Sequence, residues 1–204
     1  MRPLTEELPK PLVRLQGRPL IDHVLDRLAA AGVQRAVVNV HHLADKIERH
    51  VAGRTAPAIA ISDERGQLLE TGGGVKNALP LLGAAPFVIH NSDSVWMGGV
   101  GDNLERLFQT WDPQRMDCLL MLALGSASLG YQGRGDFSFE ADGRIRRRRE
   151  QEVVPFVFAG VSIAHPRLFD DSPDTAFSMN LIWNKAILAG RAFVLPEDVR
   201  NVAE

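Results

Sequence analysis

Three short stretches hold the side chains that could do chemistry: Pro9-Lys10-Pro11, Leu69-Glu70-Thr71-Gly72-Gly73-Gly74 and Asn91-Ser92-Asp93. A lysine between two prolines has a restricted backbone, so its ammonium is aimed with less loss of freedom than on a flexible loop. Three consecutive glycines leave a backbone without Cβ atoms, open to a flat base or a phosphate, with φ > 0 available without strain. A carboxylate just past the carboxyl end of a buried strand lies where open α/β sheets bind their ligands, which makes Asp93 the candidate metal ligand. One carboxylate plus substrate phosphates is a donor set that suits Mg2+. Each stretch also has a plainer reading as a surface lysine, a glycine turn, and a strand-end turn or helix cap. Their strand, loop and helix order favours function.

The flanking residues specify the elements that must position these groups. Val75, Ala78, Leu79 and Leu82 recur at helical spacing, so the glycines are expected to form a turn opening a short helix, weakened at its far end by Pro80. The apolar run Phe87–His90, preceded by Pro86, reads as a buried strand of a parallel sheet. Upstream, Leu20, Ile21, Val24, Leu25 and Leu28 predict an amphipathic helix over 19–31, with Pro19 at its start and Gly32 past its end. Residues 35–40, β-branched and nearly continuous in apolar character, read as a buried strand, 44–51 as a helix and 58–61 as another strand. Strands alternating with helices as far as Asp93 mark a parallel, doubly wound sheet. His41 and His42 follow the first of these strands; adjacent side chains diverge, so a loop or cap role is preferred to metal binding.

The second half leaves that alternation. A turn is expected at 98–101, a helix from Asn103 to before Asp112-Pro113, and an apolar strand at 117–124. Gly130, Gly133 and Gly135 mark a loop, and Asp142-Gly143 is the turn of a hairpin whose return strand begins at Arg144. The run Arg146-Arg147-Arg148-Arg149 is read as a solvated hairpin strand, with phosphate contact as the minor option. Residues 156–163 form a further core strand, 178–189 a capped helix ending at Gly190, and 191–195 a last strand.

A chain of 204 residues fits one domain, and its formal net charge of -2 gives no bulk attraction to nucleic acid or membrane. Cys118, the sole cysteine, lies in an apolar run and is expected to be a buried hydrophobe. The amino terminus lacks an apolar signal region and no uninterrupted apolar stretch reaches the ~20 residues of a membrane span, so a cytoplasmic location is expected.

Taken together, Arg2-Pro3-Leu4-Thr5, Pro9-Lys10-Pro11-Leu12, Gly17-Arg18-Pro19-Leu20, Leu69 to Gly74, Asn91-Ser92-Asp93, Gly135-Asp136-Phe137, Phe158-Ala159-Gly160 and Phe177-Ser178 resemble the sugar-1-phosphate nucleotidyltransferases. Within them, the resemblance is to the N-acetylmuramate-1-phosphate uridylyltransferase and mannose-1-phosphate guanylyltransferase group. It implies a Rossmann-like mixed, mainly parallel sheet flanked by helices, the nucleotide-diphospho-sugar transferase fold. It also implies Mg2+ and two substrates, an NTP and a sugar-1-phosphate, leaning to UTP and an amino-sugar phosphate. Lys10 would contact the nucleotide phosphates, and Leu69, Glu70, Thr71, Gly72, Gly73 and Gly74 would sit against the base. Asp93, beside Asn91, would hold Mg2+, while Asp136 and the strand through Gly160 would border the sugar-phosphate pocket.

Two departures bear on this reading. The family's opening strand and Leu-Ala-Ala-Gly-x-Gly-x-Arg turn are missing, and the carboxyl end passes directly to a closing helix, in which Asp198 is read as an N-terminal acid. The expectation is a single nucleotidyltransferase domain over 1–204, truncated at its amino end and shortened near its carboxyl end, with exposed sheet edges that favour association. The alternative is an inactive homologue that binds a sugar phosphate or nucleotide, or pairs with a partner subunit. A dinucleotide-dependent oxidoreductase is disfavoured, because Gly72-Gly73-Gly74 lacks the Gly-x-Gly-x-x-Gly spacing.

Overall fold

Pro19 ends a two-residue hairpin, β1 (Arg14–Leu15) with β2 (Arg18–Pro19), and its ring-fixed backbone starts the first helix, α1 (Leu20–Ala30). This computed structural model describes residues 7–96, 102–128 and 131–195. The expected features at 2–5, 98–101, Gly130 and after Leu195, Asp198 included, lie outside these residues. The buried face of α1 is Leu20, Ile21, Val24, Leu25 and Leu28, the set expected from its spacing. After it come β3 (Arg35–Val40), α2 (Ala44–Val51), β4 (Ala58–Asp63), α3 (Glu70–Leu82) and β5 (Phe87–His90). The second half contributes α4 (Asn103–Thr110), β6 (Cys118–Leu124), β7 (Phe137–Phe139), β8 (Ile145–Arg147), β9 (Phe156–Ala164), α5 (Met179–Leu188) and β10 (Ala192–Leu195).

The nine-residue strand β9 organises the larger sheet, pairing antiparallel with β5, β6 and β7. Beyond these, β10 runs parallel to β6, and β8 closes the hairpin with β7, Phe137 opposite Arg147 and Phe139 opposite Ile145. β3 and β4 form a separate parallel pair, and the strand expected to be buried at 35–40 is only partly so, with Val40 alone fully inside, because it pairs with β4 outside the larger sheet. The fold is therefore mixed α/β, as expected, but parallel pairing among the described residues is confined to β3–β4 and β6–β10. Phe87–His90 in particular was expected in a parallel, buried setting; it is half-buried and antiparallel to β9. Its partner arrives 66 residues later by a route that local alternation of strands and helices does not encode.

A period of two splits the core across β6. Leu119 and Met121 pack with α1, α2 and α4 on one face, while Cys118, Leu120 and Leu122 pack with α5 on the other. Cys118 is 1% exposed, and burial pushes its thiol far above the ordinary range, so it is the inert core residue expected. Among the described residues no helix is long and apolar enough to cross a membrane.

Candidate active site

Lys10 and Asp93 are separated by 83 residues, yet the Lys10 ammonium donates directly to Asp93 Oδ2. Each side chain owes its position to local chemistry. Lys10 opens a short 3-10 turn, Lys10–Leu12, whose flanking Pro9 is fully buried and accepts from the Leu12 N–H at 2.8 Å. Asp93 follows β5 in a turn held by the Asn91 N–H donating to the Gly160 carbonyl at 2.8 Å. Both side chains remain open to solvent, 47% and 35% exposed. A pair this exposed adds little to stability, roughly 0–1 kcal/mol. What it does is hold a cation and a carboxylate together at the carboxyl end of a strand.

Gly160 is the floor of that turn. Its φ is +83°, and a Cβ there would lie 1.9 Å from Ser94 Oγ and 2.4 Å from Ser94 Cβ, so only glycine lets the turn sit on β9. The other side of the turn is fixed by a stack that the sequence reading did not identify. His90 lies face to face with Trp96, ring centroids 5.2 Å apart, and the Arg27 guanidinium sits 4.5 Å from the Trp96 ring centre while donating to the Trp96 carbonyl. Burial pushes the His90 pKa down to about 4; the Arg27 charge adds to this, against the bond at 2.8 Å between His90 Nδ1 and the Asn91 carbonyl. The imidazole in the stack is neutral at pH 7.

The glycine run is placed differently from expectation. Gly72, Gly73 and Gly74 are buried inside the first turns of α3, with no positive φ; the left-handed residue is Glu70, at φ 60°. The backbone is approached closely, but by the protein itself. The Gly72 and Gly73 N–H groups both donate to the Phe177 carbonyl, at 2.8 and 3.0 Å, and a Cβ on Gly72 would strike the Phe177 ring at 2.5 Å. Phe177 N–H returns a bond to the Leu69 carbonyl at 3.1 Å, and Thr71 Oγ1 accepts from Met179 N–H at 2.9 Å, the first N–H of α5, whose N-cap is Ser178. At Gly74 the neighbour is buried Glu64, whose carboxylate takes a bond from Asn39 Nδ2 at 2.6 Å. Three glycines allow helix α3 and the segment before α5 to close on each other, a need that local sequence does not reveal.

Asp136, expected at the sugar-phosphate pocket, accepts from the Phe158 N–H at 3.0 Å and so ties β7 to β9 two residues before Gly160. Phe158 and Phe137 both pack on Trp183 of α5, with centroid distances of 4.6 and 6.1 Å. The structure thus brings together Lys10, Asn91, Asp93 and Gly160, with Asp136 along the same strand. Leu69 to Gly74 meet Phe177 and Met179, and no hydrogen bond or ion pair among the described residues joins them to Lys10 or Asp93. His41 Nδ1 bonds the Glu64 carbonyl at 2.6 Å, the loop role expected for it. The arginine run is not uniformly solvated: Arg146 makes two bonds to Glu152, Arg148 bonds the carbonyls of Gly135, Arg149, Glu150 and Glu152, and Arg147 turns inward.

Lys10 and Asp93 thus form an exposed cation–carboxylate pair at a strand end of a mixed α/β sheet. The MobA-like NTP transferase domain family matches residues 4–127. The N-acetylmuramate alpha-1-phosphate uridylyltransferase of Caulobacter vibrioides is 48% identical over 202 residues, 97% of this chain and 84% of the relative. The protein of that name from Neisseria meningitidis serogroup B is 36% identical over 177 residues, 83% of this chain and 72% of the relative. Among solved structures, the inositol-1-phosphate CTP transferase from T. maritima superposes with TM-score 0.74 at 16% identity, covering 96% of this chain and 79% of that one. An apo UDP-glucose pyrophosphorylase gives TM-score 0.69 at 13% identity, covering 95% and 85%; these two show the fold. The chain belongs to the MobA-like NTP transferase family, among the sugar-1-phosphate nucleotidyltransferases that its motifs resemble, and is an enzyme of that class.

Proposed function

We propose that this chain transfers UMP from UTP to N-acetylmuramate 1-phosphate, releasing pyrophosphate. The observation that carries the reading is the 48% identity over 97% of the chain to an enzyme named for that reaction. The contact between Lys10 and Asp93 agrees with it. A sugar-phosphate oxygen attacks the α-phosphorus of UTP, the new P–O bond forms, and the bond from the α-phosphorus to the bridging oxygen breaks as pyrophosphate leaves. No proton need be removed from a phosphate dianion. The protein's task is to bring two anions into line and offset their repulsion, and Lys10 supplies a fixed positive charge for that purpose.

A divalent metal belongs to the same reading. Among the described residues no group of three His, Cys, Asp or Glu side chains could hold a metal ion alone. Asp93 at the strand end with phosphate oxygens is nonetheless a donor set that suits Mg2+, which keeps few protein ligands. When bound, Mg2+ would neutralise charge on the phosphates as the leaving group departs. Asn91 and Gly160 keep Asp93 in position, Asp136 holds β7 against the same strand, and of the stretch Leu69 to Gly74 the exposed Glu70 and Thr71 flank the nucleotide, the three glycines being packed on Phe177 and Glu64. One nucleotidyltransferase domain acting in the cytoplasm, where UTP is available, completes the proposal.

The test is pyrophosphate release by the full chain with Mg2+, each of the four NTPs and a panel of sugar-1-phosphates. Turnover with UTP and N-acetylmuramate 1-phosphate above all other pairs is expected. Binding of UTP or the sugar phosphate without turnover in any pair would replace catalysis with a binding role.

A further inference from the structure

The period of two along β8 sets Arg147 on the same face as Ile145, which is 5% exposed in the core, and Arg146 on the other. A guanidinium on the inward face has to be accommodated. Its face lies 4.8 Å from the centre of the Phe137 ring; Nε donates to Asn184 Oδ1 at 2.8 Å and Nη2 to Asn180 Oδ1 at 3.1 Å. Among the described residues no carboxylate pairs with it and Nη1 donates to nothing. One acid, Asp136, acts on it electrostatically, and that carboxylate is already bound to the Phe158 N–H. Burial holds the Arg147 pKa below the ordinary arginine value, with Asp136 opposing.

Arg146 and Arg148 show what satisfied neighbours look like, one on Glu152 and the other on four carbonyls. Arg147 is instead a half-buried cation on neutral amides, an arrangement that favours an incoming anion. The Asn180 and Asn184 oxygens orient the guanidinium without neutralising it. A chain of ring contacts links the cluster to the strand beneath the site. Phe137 under Arg147 packs on Trp183, Trp183 on Phe158, and Phe158 lies two residues from Gly160, the floor of the Asp93 turn.

We propose that Arg147, oriented by the side-chain oxygens of Asn180 and Asn184, receives a carboxylate carried by the sugar of the substrate and so selects an acidic sugar phosphate over its neutral counterpart. This rests on the reading that the sugar is N-acetylmuramate 1-phosphate, whose lactyl ether ends in a carboxylate. The planar guanidinium suits a two-oxygen anion in a way an ammonium does not.

The experiment compares kcat/KM, with UTP, for N-acetylmuramate 1-phosphate and for N-acetylglucosamine 1-phosphate, the same sugar without the lactyl group. Wild type is expected to favour the acidic sugar. Arg147→Met should lower the acidic-to-neutral ratio by about 10- to 100-fold, the loss of a charge-assisted bond. Asn180→Asp, which sets a carboxylate on the guanidinium without removing it, should lower the same ratio and settles the matter if Arg147→Met does not fold. A variant that slows both sugars alike, leaving the ratio unchanged, overturns the proposal. A wild-type enzyme that turns over neither sugar, or prefers the neutral one, overturns the substrate reading instead.

Discussion

Replacing Gly160 with alanine tests whether the floor of the Asp93 turn governs catalysis. The new Cβ would stand 1.9 Å from Ser94 Oγ and 2.4 Å from Ser94 Cβ, roughly 1.5 Å short of ordinary contact at the nearer atom. Alanine at φ +83° adds about 1–2 kcal/mol of backbone strain. Separating β9 from the turn forfeits the bond from the Asn91 N–H to the Gly160 carbonyl, a further ~1 kcal/mol. The expected cost is about 2–4 kcal/mol, or a fall in Tm of roughly 5–15 °C for a chain of this size. Moving the turn moves Asp93, and a misplacement of about 1 Å lowers kcat by about 100-fold. Thermal unfolding and steady-state pyrophosphate release measure the two effects. Ser94→Gly removes both clashing atoms, so Gly160→Ala with Ser94→Gly should recover the steric part and keep the backbone part, a coupling of about 1–2 kcal/mol. A Gly160→Ala protein with unchanged Tm and kcat would refute the reasoning. One that is destabilised while kcat holds would show that Asp93 is not placed by this turn.

Lys10→Met and Asp93→Asn should each lower kcat by about 100- to 1,000-fold while moving Tm by no more than a few degrees, because the pair is exposed; large unfolding with kcat preserved would reverse the assignment. For His90 the folded pKa, about 4, lies below the ordinary 6.5, so the unfolded chain binds more protons between those values. Stability is then fully present above about pH 6.5 and falls on acidification toward pH 4, by up to ~3 kcal/mol; urea unfolding across that range should show a slope that His90→Gln removes. Thr71→Val deletes the oxygen that accepts the first N–H of α5 and should cost about 1 kcal/mol, while a rise in the KM for UTP of more than tenfold would reveal a direct nucleotide contact.

Much of this protein was readable residue by residue. The buried face of α1, the strands 35–40 and 156–164 and the hairpin at Asp142-Gly143 follow from apolar spacing and turn chemistry, which act over a few residues. Lys10 and Asp93 could be picked out as separate candidates by type and by position after a proline turn and a strand. The inward turn of Arg147 was also present in the sequence, since it stands two residues from Ile145, but the run of four arginines obscured the alternation.

Contacts between distant segments required the fold. That Lys10 meets Asp93 depends on where the first turn packs, and that β5 pairs antiparallel with β9 depends on a strand 66 residues away. The glycines show the limit most plainly. Sequence shows only that a backbone without Cβ atoms can be approached closely. Whether the neighbour is a nucleotide or the Phe177 carbonyl and ring is set by which surfaces the rest of the chain brings there. Propensity and periodicity are local energies, whereas the partners of a buried N–H, a charge or a missing side chain are chosen by packing over the whole domain.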